Sequence, residues 1–150
     1  MFDVGFKVET MTLATKISLL ASGIFLLSAM LIGIAKYRQM LVRETHQANA
    51  YVDVAHRAAL LYSFAALVIA ELVKYSPFGE NLQLLTVAAP LVYFALTIVQ
   101  YVKLGWLGRE ETQFADRNFV TVWVMYSLIA GEIGSIALLV AGFVYTQFTS

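Results

Sequence analysis

Few residues in this sequence have side chains that could do chemistry, and the two histidines come first. His46 follows the first long apolar block, and His56 lies near the start of the second. One histidine is enough for an axial haem ligand and leaves the opposite face of the iron free for a substrate. A bis-histidine haem is not expected, because His46 lies in a polar segment ahead of the second block. The alternative for His56 is a structural role at the end of a helix, with a hydrogen bond to Asp53.

Polar residues of the second block share one face of the predicted helix. At 100° per residue they fall within a stripe about 80° wide, which predicts that this face meets the bundle interior, a cavity or a neighbouring subunit. Glu71 and Lys74, and Asp53 and Arg57, have spacings at which opposite charges neutralise each other. A metal site built from His46, Asp53 and His56 matches no recognised ligand spacing. The stripe consists of Asp53, His56, Ser63, Glu71 and Lys74.

The third block carries a comparable stripe, and its proline predicts a kink that opens space beside the helix. Tyr101 borders this stripe, and with Gln100 and Tyr93 it offers hydrogen bonds to a cavity. Aromatic residues such as Tyr62 would make such a cavity suitable for an apolar or aromatic small molecule. The alternative is that these aromatics only pack the bundle or form interfacial belts. The stripe consists of Thr86, Pro90, Tyr93, Thr97 and Gln100.

Glu132 is the one charged residue between Arg117 and the end of the sequence. A carboxylate in the middle of a bilayer costs roughly 3 kcal/mol on the insertion scale, so we expect it to be protonated or paired. Three roles are open for Glu132: it orients His56, it takes part in proton movement, or it fixes the position of its helix in the bundle. Small residues on the same helix recur every three or four positions and predict a close approach of another helix, or plain packing. These are Ser127, Ala130, Gly134, Ala137 and Ala141.

Composition defines the elements that position these residues. Of the 150 residues, 60% are apolar and 13% are charged, about half the charged fraction of a soluble domain. The mean hydropathy is +0.75. The net charge of zero gives no reason to expect a nucleic-acid partner, and the lack of cysteine excludes disulfides and thiolate catalysis. No phosphate-binding loop, nucleophile elbow or His-Glu-x-x-His motif occurs.

Apolar blocks separated by charged residues predict an all-α integral membrane protein, a single domain over residues 1–150. We expect four transmembrane helices, at about 12–36, 51–76, 82–104 and 118–146. The first block is expected to be retained, because no small-residue cleavage site follows it. The second block is the weakest candidate for a transmembrane helix. It spans the bilayer if Arg57 and Lys74 extend to the interfaces, and otherwise would be a re-entrant or interfacial segment.

The distribution of basic residues predicts the orientation. Loops one and three with their flanks hold seven of the ten basic residues, which places these loops in the cytoplasm and both termini outside. The seven are Lys36, Arg38, Arg43, Arg57, Lys103, Arg109 and Arg117.

Short motifs resemble a known family. Val54-Ala55-His56-Arg57-Ala58 lies early in the second helix, Tyr101 follows at a characteristic distance, and Gln113-Phe114 precedes a last helix ending Val140-Ala141-Gly142-Phe143. The pattern is similar to the small membrane isomerases typified by styrene oxide isomerase, with hydroxylaminobenzene mutase as a looser relative. The sequence departs from that pattern at three positions. Arg57 replaces a glycine, Tyr62 replaces an asparagine that helps to position the epoxide, and Glu132 has no counterpart.

The resemblance implies a homotrimer in a bacterial inner membrane with haem b at the subunit interfaces. His56 would be the axial ligand of the iron, and the haem would act as a Lewis acid that isomerises a small apolar epoxide to an aldehyde. Tyr101 would donate a hydrogen bond to the developing alkoxide, and Tyr62 or Gln100 would take the place of the missing amide.

Three other functions fit the same sequence. A non-catalytic membrane subunit of a larger complex would bury Asp53, Glu71 and Glu132 against other chains. A trimeric glutathione-type enzyme of the MAPEG superfamily would share the Ala-His-Arg-Ala run, although its second helix would carry more arginines than Arg57. A small carrier or proton-linked transporter would use Glu132 and would have to act as an oligomer.

Overall fold

Four long helices make up this protein in the computed structural model, which describes residues 11–109 and 119–149. They are α1 (Leu13–Val42), α2 (Ala50–Lys74), α3 (Glu80–Trp106) and α4 (Phe119–Phe148). Each is long and apolar enough to cross a bilayer. The prediction of an all-α, four-helix integral membrane protein is therefore confirmed. Gln113, Phe114 and Arg117, as well as residues 1–10, lie outside the described residues.

Local signals set the helix ends. Thr12 caps α1 by accepting a hydrogen bond from the Thr15 backbone amide, and Asn49 caps α2 in the same way through Tyr51. The predicted start of each helix lies close to the observed one. At its other end, however, α1 continues past residue 36 to Val42. Lysine, arginine and glutamine are good helix formers, so the charges that end an apolar block do not end the helix.

The second helix is continuous over 25 residues. At 1.5 Å per residue this is about 37 Å, longer than the roughly 30 Å hydrocarbon core. Its mean hydropathy of 1.5 is the lowest of the four spans, compared with 2.3 for α1. The helix therefore fits the spanning interpretation rather than the re-entrant one. The third helix likewise runs without a break through the buried Pro90.

The helices are arranged around the α2–α3 pair. α1 packs along α2 and also touches α3, while α4 packs on α3 and α2 from the other side. Within the described residues α1 and α4 do not touch. The Asn49 side-chain amide donates to the Arg109 carbonyl oxygen at 3.3 Å, and the Thr146 hydroxyl donates to the Tyr75 carbonyl oxygen at 2.9 Å. Loops one and three therefore share one end of the bundle, as the orientation rule requires.

Small residues let the central helices approach closely. Gly105 of α3 faces Val52 of α2, and a β-carbon built on Gly105 would lie 2.6 Å from Val52 Cγ2 and 3.0 Å from the Val52 backbone nitrogen. The buried positions of α2 are mostly occupied by small side chains, which is typical of helix contacts in membranes. They include Ala55, Ala59, Ser63, Ala66 and Ala70.

The exposed surface of the bundle is apolar along the spans, as a lipid-facing surface must be. Several exposed aromatic residues lie towards the helix ends, among them Trp106 and Phe148, whereas Phe64 is exposed near the middle of α2. The predicted small-residue face of α4 is also exposed, and Gly134 has no neighbouring atom within 4 Å of an added β-carbon. Another face of α4, with Gly131 and Gly142, is the one that packs against the rest of the chain.

Candidate functional site

His56 lies on the side of α2 that packs against α1. Its Nδ1 is 2.8 Å from the carbonyl oxygen of Ala29. Gly33, one turn further along α1, provides the space for the ring, because a β-carbon there would lie 3.0 Å from His56 Cε1 and 3.2 Å from Nδ1. His56 thus joins two helices by a side-chain hydrogen bond to backbone and does not bond to Asp53.

This hydrogen bond determines which ring nitrogen is available. A carbonyl oxygen can only accept, so Nδ1 carries the proton and the neutral ring keeps its lone pair on Nε2. Histidine ligands of metals are usually held in this way, with one nitrogen donating to a backbone carbonyl and the other facing the metal. The partly exposed ring of His56 therefore fits the role of a single axial haem ligand.

Charged side chains surround the loop-one end of α2. Asp53 accepts from Lys36 of α1 at 2.5 Å and from Arg57 at 2.8 Å. The predicted pairing of Asp53 with Arg57 is confirmed, and Lys36 adds a contact between helices. Further along the same face, the Ser22 hydroxyl of α1 donates to the Ser63 carbonyl oxygen at 2.9 Å. Asp53 and His56 of the polar stripe are therefore bonded to α1, whereas the Ser63 hydroxyl donates to the Leu60 carbonyl oxygen of α2 itself.

The opposite end of the stripe is separate from this group. Lys74 donates to Glu71 at 2.5 Å, and both side chains are exposed at the end of the helix. The predicted neutralisation of this pair is confirmed. The pair lies far along α2 from His56, so it belongs to the membrane boundary rather than to a site around the histidine.

Tyr62 lies on the side of α2 that faces α3. Its ring stacks on that of Phe94, with centroids 4.2 Å apart and planes within 5°. Thr97, Glu132 and Tyr101 lie close enough to its hydroxyl to interact with it electrostatically. We call Tyr62, Thr97 and Glu132 the central polar cluster, since they bring together α2, α3 and α4.

Glu132 is half-buried on α4 beside the close contact of α4 with α3. The ring of Tyr93 packs over the neighbouring Gly131, where a β-carbon would lie 2.8 Å from Tyr93 Cε2. Glu132 is thus on the α4 side of the α2–α3 pair, whereas His56 is on the α1 side. Orientation of His56 by Glu132, one of the roles predicted for the carboxylate, is not what this chain shows.

Tyr101 and Gln100 occupy the loop-three end of α3. The ring of Tyr101 stacks on that of Tyr51, with centroids 6.2 Å apart. Gln100 is exposed on the outside of α3. A single chain therefore does not gather His56, Tyr62, Gln100 and Tyr101 around one point, and their predicted roles at a shared site stay predictions.

His46 is held in loop one, at a positive φ of 51°, and its Nδ1 is 3.3 Å from the Met40 carbonyl oxygen. The described residues contain no group of three or more histidine, cysteine, aspartate or glutamate side chains that could hold a metal ion. A site made from His46, Asp53 and His56 is therefore not formed.

No family model, curated protein or solved structure matches this chain. The geometry of His56 and of the central polar cluster must therefore support any functional conclusion.

Proposed function

We propose that this protein is a membrane-embedded isomerase that binds haem b through His56 and converts a small apolar epoxide to an aldehyde. The observation that carries the proposal is the hydrogen bond from His56 Nδ1 to the Ala29 carbonyl oxygen. It fixes the ring and leaves the lone pair of Nε2 available to coordinate a metal. The reaction, isomerisation of an epoxide, is chosen because the short motif around His56 resembles that of the membrane isomerases.

The residues around His56 each have a defined part in this proposal. Ala29 and Gly33 hold the imidazole against α1, so the ring loses little freedom on binding. Arg57 follows His56 directly, and its side chain is 65% exposed even though it contacts Asp53. A cation in that place suits the propionate groups of a haem. The cofactor, once bound, would supply a Lewis acid that polarises the oxygen of the epoxide.

The proposal also requires more than one copy of the chain. Gln100 and Tyr101 lie on α3, away from the α1 side of α2 where His56 packs. They reach a substrate at His56 only if a second copy places its α3 there, as in the trimer that the resemblance implies. Apolar lipid and protein around such a site would exclude water from the reaction.

Absorption spectroscopy tests the haem. We expect the detergent-purified protein to show a Soret band that His56→Ala loses. His46→Ala is the matched control, because His46 lies in a loop with its own backbone partner, and it should keep the band. A colourless wild-type protein after haem supplementation, or a Soret band that persists in His56→Ala, would refute the proposal.

Subunit complementation tests the shared site. His56→Ala and Tyr101→Phe chains, each inactive or impaired alone, are co-expressed with different affinity tags and purified through both tags. We expect the mixed oligomer to regain conversion of an aryl epoxide to its aldehyde, because some interfaces then carry both intact residues. If mixed oligomers are no more active than the parents, the two residues do not act across an interface.

A second function, a non-catalytic subunit of a larger complex, is favoured by a different observation. The small-residue face of α4, with Ala130, Gly134, Ala137 and Ala141, is exposed in the single chain. Such faces commonly receive another helix. This alternative predicts a colourless protein that co-purifies with a membrane partner, and that co-purification should be lost on Gly134→Leu.

A further inference from the structure

Two basic side chains share one carboxylate at the loop-one end of the bundle. Lys36 Nζ of α1 lies 2.5 Å from Asp53 Oδ1, and a terminal nitrogen of Arg57 lies 2.8 Å from Asp53 Oδ2. Each oxygen of Asp53 therefore already contacts a cation. Among the described residues neither cation forms another ion pair, so two positive charges face one negative charge. We call Lys36, Asp53 and Arg57 the charged triad.

The charges around the triad do not restore the balance. The loop-one end has six basic and two acidic residues in the described part of the chain, whereas the loop-two end has two of each. The membrane leaflet at the loop-one end therefore meets a positive surface, which attracts anionic lipids. The basic residues at this end are Lys36, Arg38, Arg43, Arg57, Lys103 and Arg109, and the acidic residues are Glu44 and Asp53.

The triad lies near the depth of the lipid headgroups. Lys36 is about 9 Å of helix from the end of α1 at Val42, and Asp53 is in the first turn of α2. At 30 residues, α1 is about 45 Å long and extends beyond a hydrocarbon core of roughly 30 Å. The Arg57 side chain is 65% exposed, and long basic side chains reach from such positions to the headgroup layer. Its guanidinium can therefore donate to a lipid while it still contacts Asp53.

An exposed apolar face of α2 runs from Arg57 towards the middle of the helix. Leu61, Phe64 and Val68 follow Arg57 at i+4, i+7 and i+11, which places the four residues on one side of α2. Their side chains are all exposed in the chain, Leu61 by 68%, Phe64 by 63% and Val68 by 56%. A soluble phosphate ester makes no use of this face. A phospholipid covers it with an acyl chain when its headgroup is at Arg57.

We propose that Arg57 and Lys36 bind the phosphate group of an anionic phospholipid, with one acyl chain lying along Leu61, Phe64 and Val68. The phosphate is then the second anion beside the triad, so two cations face two negative charges. A lipid without net charge is attracted less to this end of the bundle. The proposed function pairs Arg57 with a haem propionate, which is also an anion, but the lipid site needs no haem and can be tested without it.

Native mass spectrometry of the detergent-purified protein measures the binding. The probe is palmitoyl-oleoyl phosphatidylglycerol, and phosphatidylcholine with the same chains is the neutral comparison. We expect phosphatidylglycerol to bind the wild type about fivefold more tightly, the effect of one basic residue acting on an anionic lipid. Arg57→Gln should lose this preference, whereas Arg57→Lys, which keeps the charge, should retain most of it.

Arg38→Gln is the matched control. It removes the same charge from the same end of the bundle, but Arg38 is exposed and lies about 200° round α1 from Lys36, outside the triad. This variant should keep the preference. If Arg57→Gln does not fold, the comparison of the two lipids in the wild type and in Arg38→Gln still decides the matter. The preference should also be unchanged in His56→Ala, which separates this result from the fate of the haem proposal.

Four outcomes would overturn the inference. Equal affinity of the wild type for the two lipids would show that no anion site exists. Equal losses in Arg38→Gln and Arg57→Gln would show that the whole basic surface, rather than the triad, attracts the lipid. Displacement of the lipid by an equal concentration of glycerol 1-phosphate would show that the site binds a soluble phosphate ester. A preference found only in His56→Ala would show that haem propionates occupy the cations in the native protein.

Discussion

At the scale of single residues, Gly33 is the position on which the arrangement of His56 depends. A helix interior ordinarily disfavours glycine by about 1 kcal/mol relative to alanine. Here the absent side chain leaves room for the imidazole to reach the Ala29 carbonyl oxygen. The same residue therefore controls helix contact and the orientation of the candidate ligand.

We expect Gly33→Ala to be less stable than Gly23→Ala by about 1–3 kcal/mol, the usual cost of overpacking. Both substitutions gain the same helix propensity, but only the first places a β-carbon against His56, at 3.0 Å from Cε1, whereas Gly23 has open space. Thermal denaturation in detergent measures the difference. The double variant Gly33→Ala/His56→Ala should recover part of the loss, and equal stability of the two single variants would contradict this account.

At the scale of helices, α4 is the element whose contacts differ most from the sequence-based expectation. Its regular run of small residues predicted a close approach along Ala130, Gly134 and Ala137. Within the described chain the close approach occurs instead at Gly131, under the ring of Tyr93, and at Gly142, beside Pro77 and Phe78. Both faces of α4 carry small residues, so spacing alone could not distinguish them.

Gly131→Ala should destabilise the protein, because its β-carbon would lie 2.8 Å from Tyr93 Cε2, whereas Gly134→Ala should have little effect in the isolated chain. We expect the loss for Gly131→Ala to be about 1–3 kcal/mol in thermal denaturation, with partial rescue by Tyr93→Ala. A loss of similar size for Gly134→Ala would mean that a second chain covers the outer face of α4.

The contacts within one helix could be predicted from the sequence, whereas most contacts between helices could not. Glu71 with Lys74, and Asp53 with Arg57, follow from spacing along a single helix, which fixes their separation. The contacts of His56 with Ala29 and of Tyr62 with Phe94 depend on how each helix is rotated about its axis. Periodicity defines a polar face but does not say which neighbouring helix this face meets. The sequence therefore predicted one site for His56 and Tyr62, although these residues lie on different sides of α2.

At the scale of the whole molecule, the orientation in the membrane is the prediction that a labelling experiment can settle. The chain contains no cysteine, so single-cysteine variants need no altered background. In intact bacterial cells, Gly79→Cys in loop two should react with an impermeant maleimide. Gln47→Cys in loop one should react only after the membrane is permeabilised. Both positions are exposed, and the reverse pattern would invert the predicted topology.

The number of helices follows from hydropathy and length, whereas the end of α1 at Val42 does not. Apolar stretches long enough for a bilayer have few alternatives to a spanning helix, because each unpaired backbone group in lipid is costly. No comparable constraint acts on a site made by side chains from several helices. Its assembly, within one chain or between copies, is therefore the property that sequence constrains least.

The hydrogen bonds between α1 and α2 have a consequence for biosynthesis. The less apolar of these two helices is the one made second, and the groups that lower its hydropathy, such as Asp53 and His56, find partners on α1. Synthesis delivers the N-terminal part of a chain first. When α2 leaves the translocation channel, a helix with matching partners is already in the lipid, so α2 can pack against it on entry. The first helix thereby assists the insertion of α2, which would insert poorly into the bilayer alone.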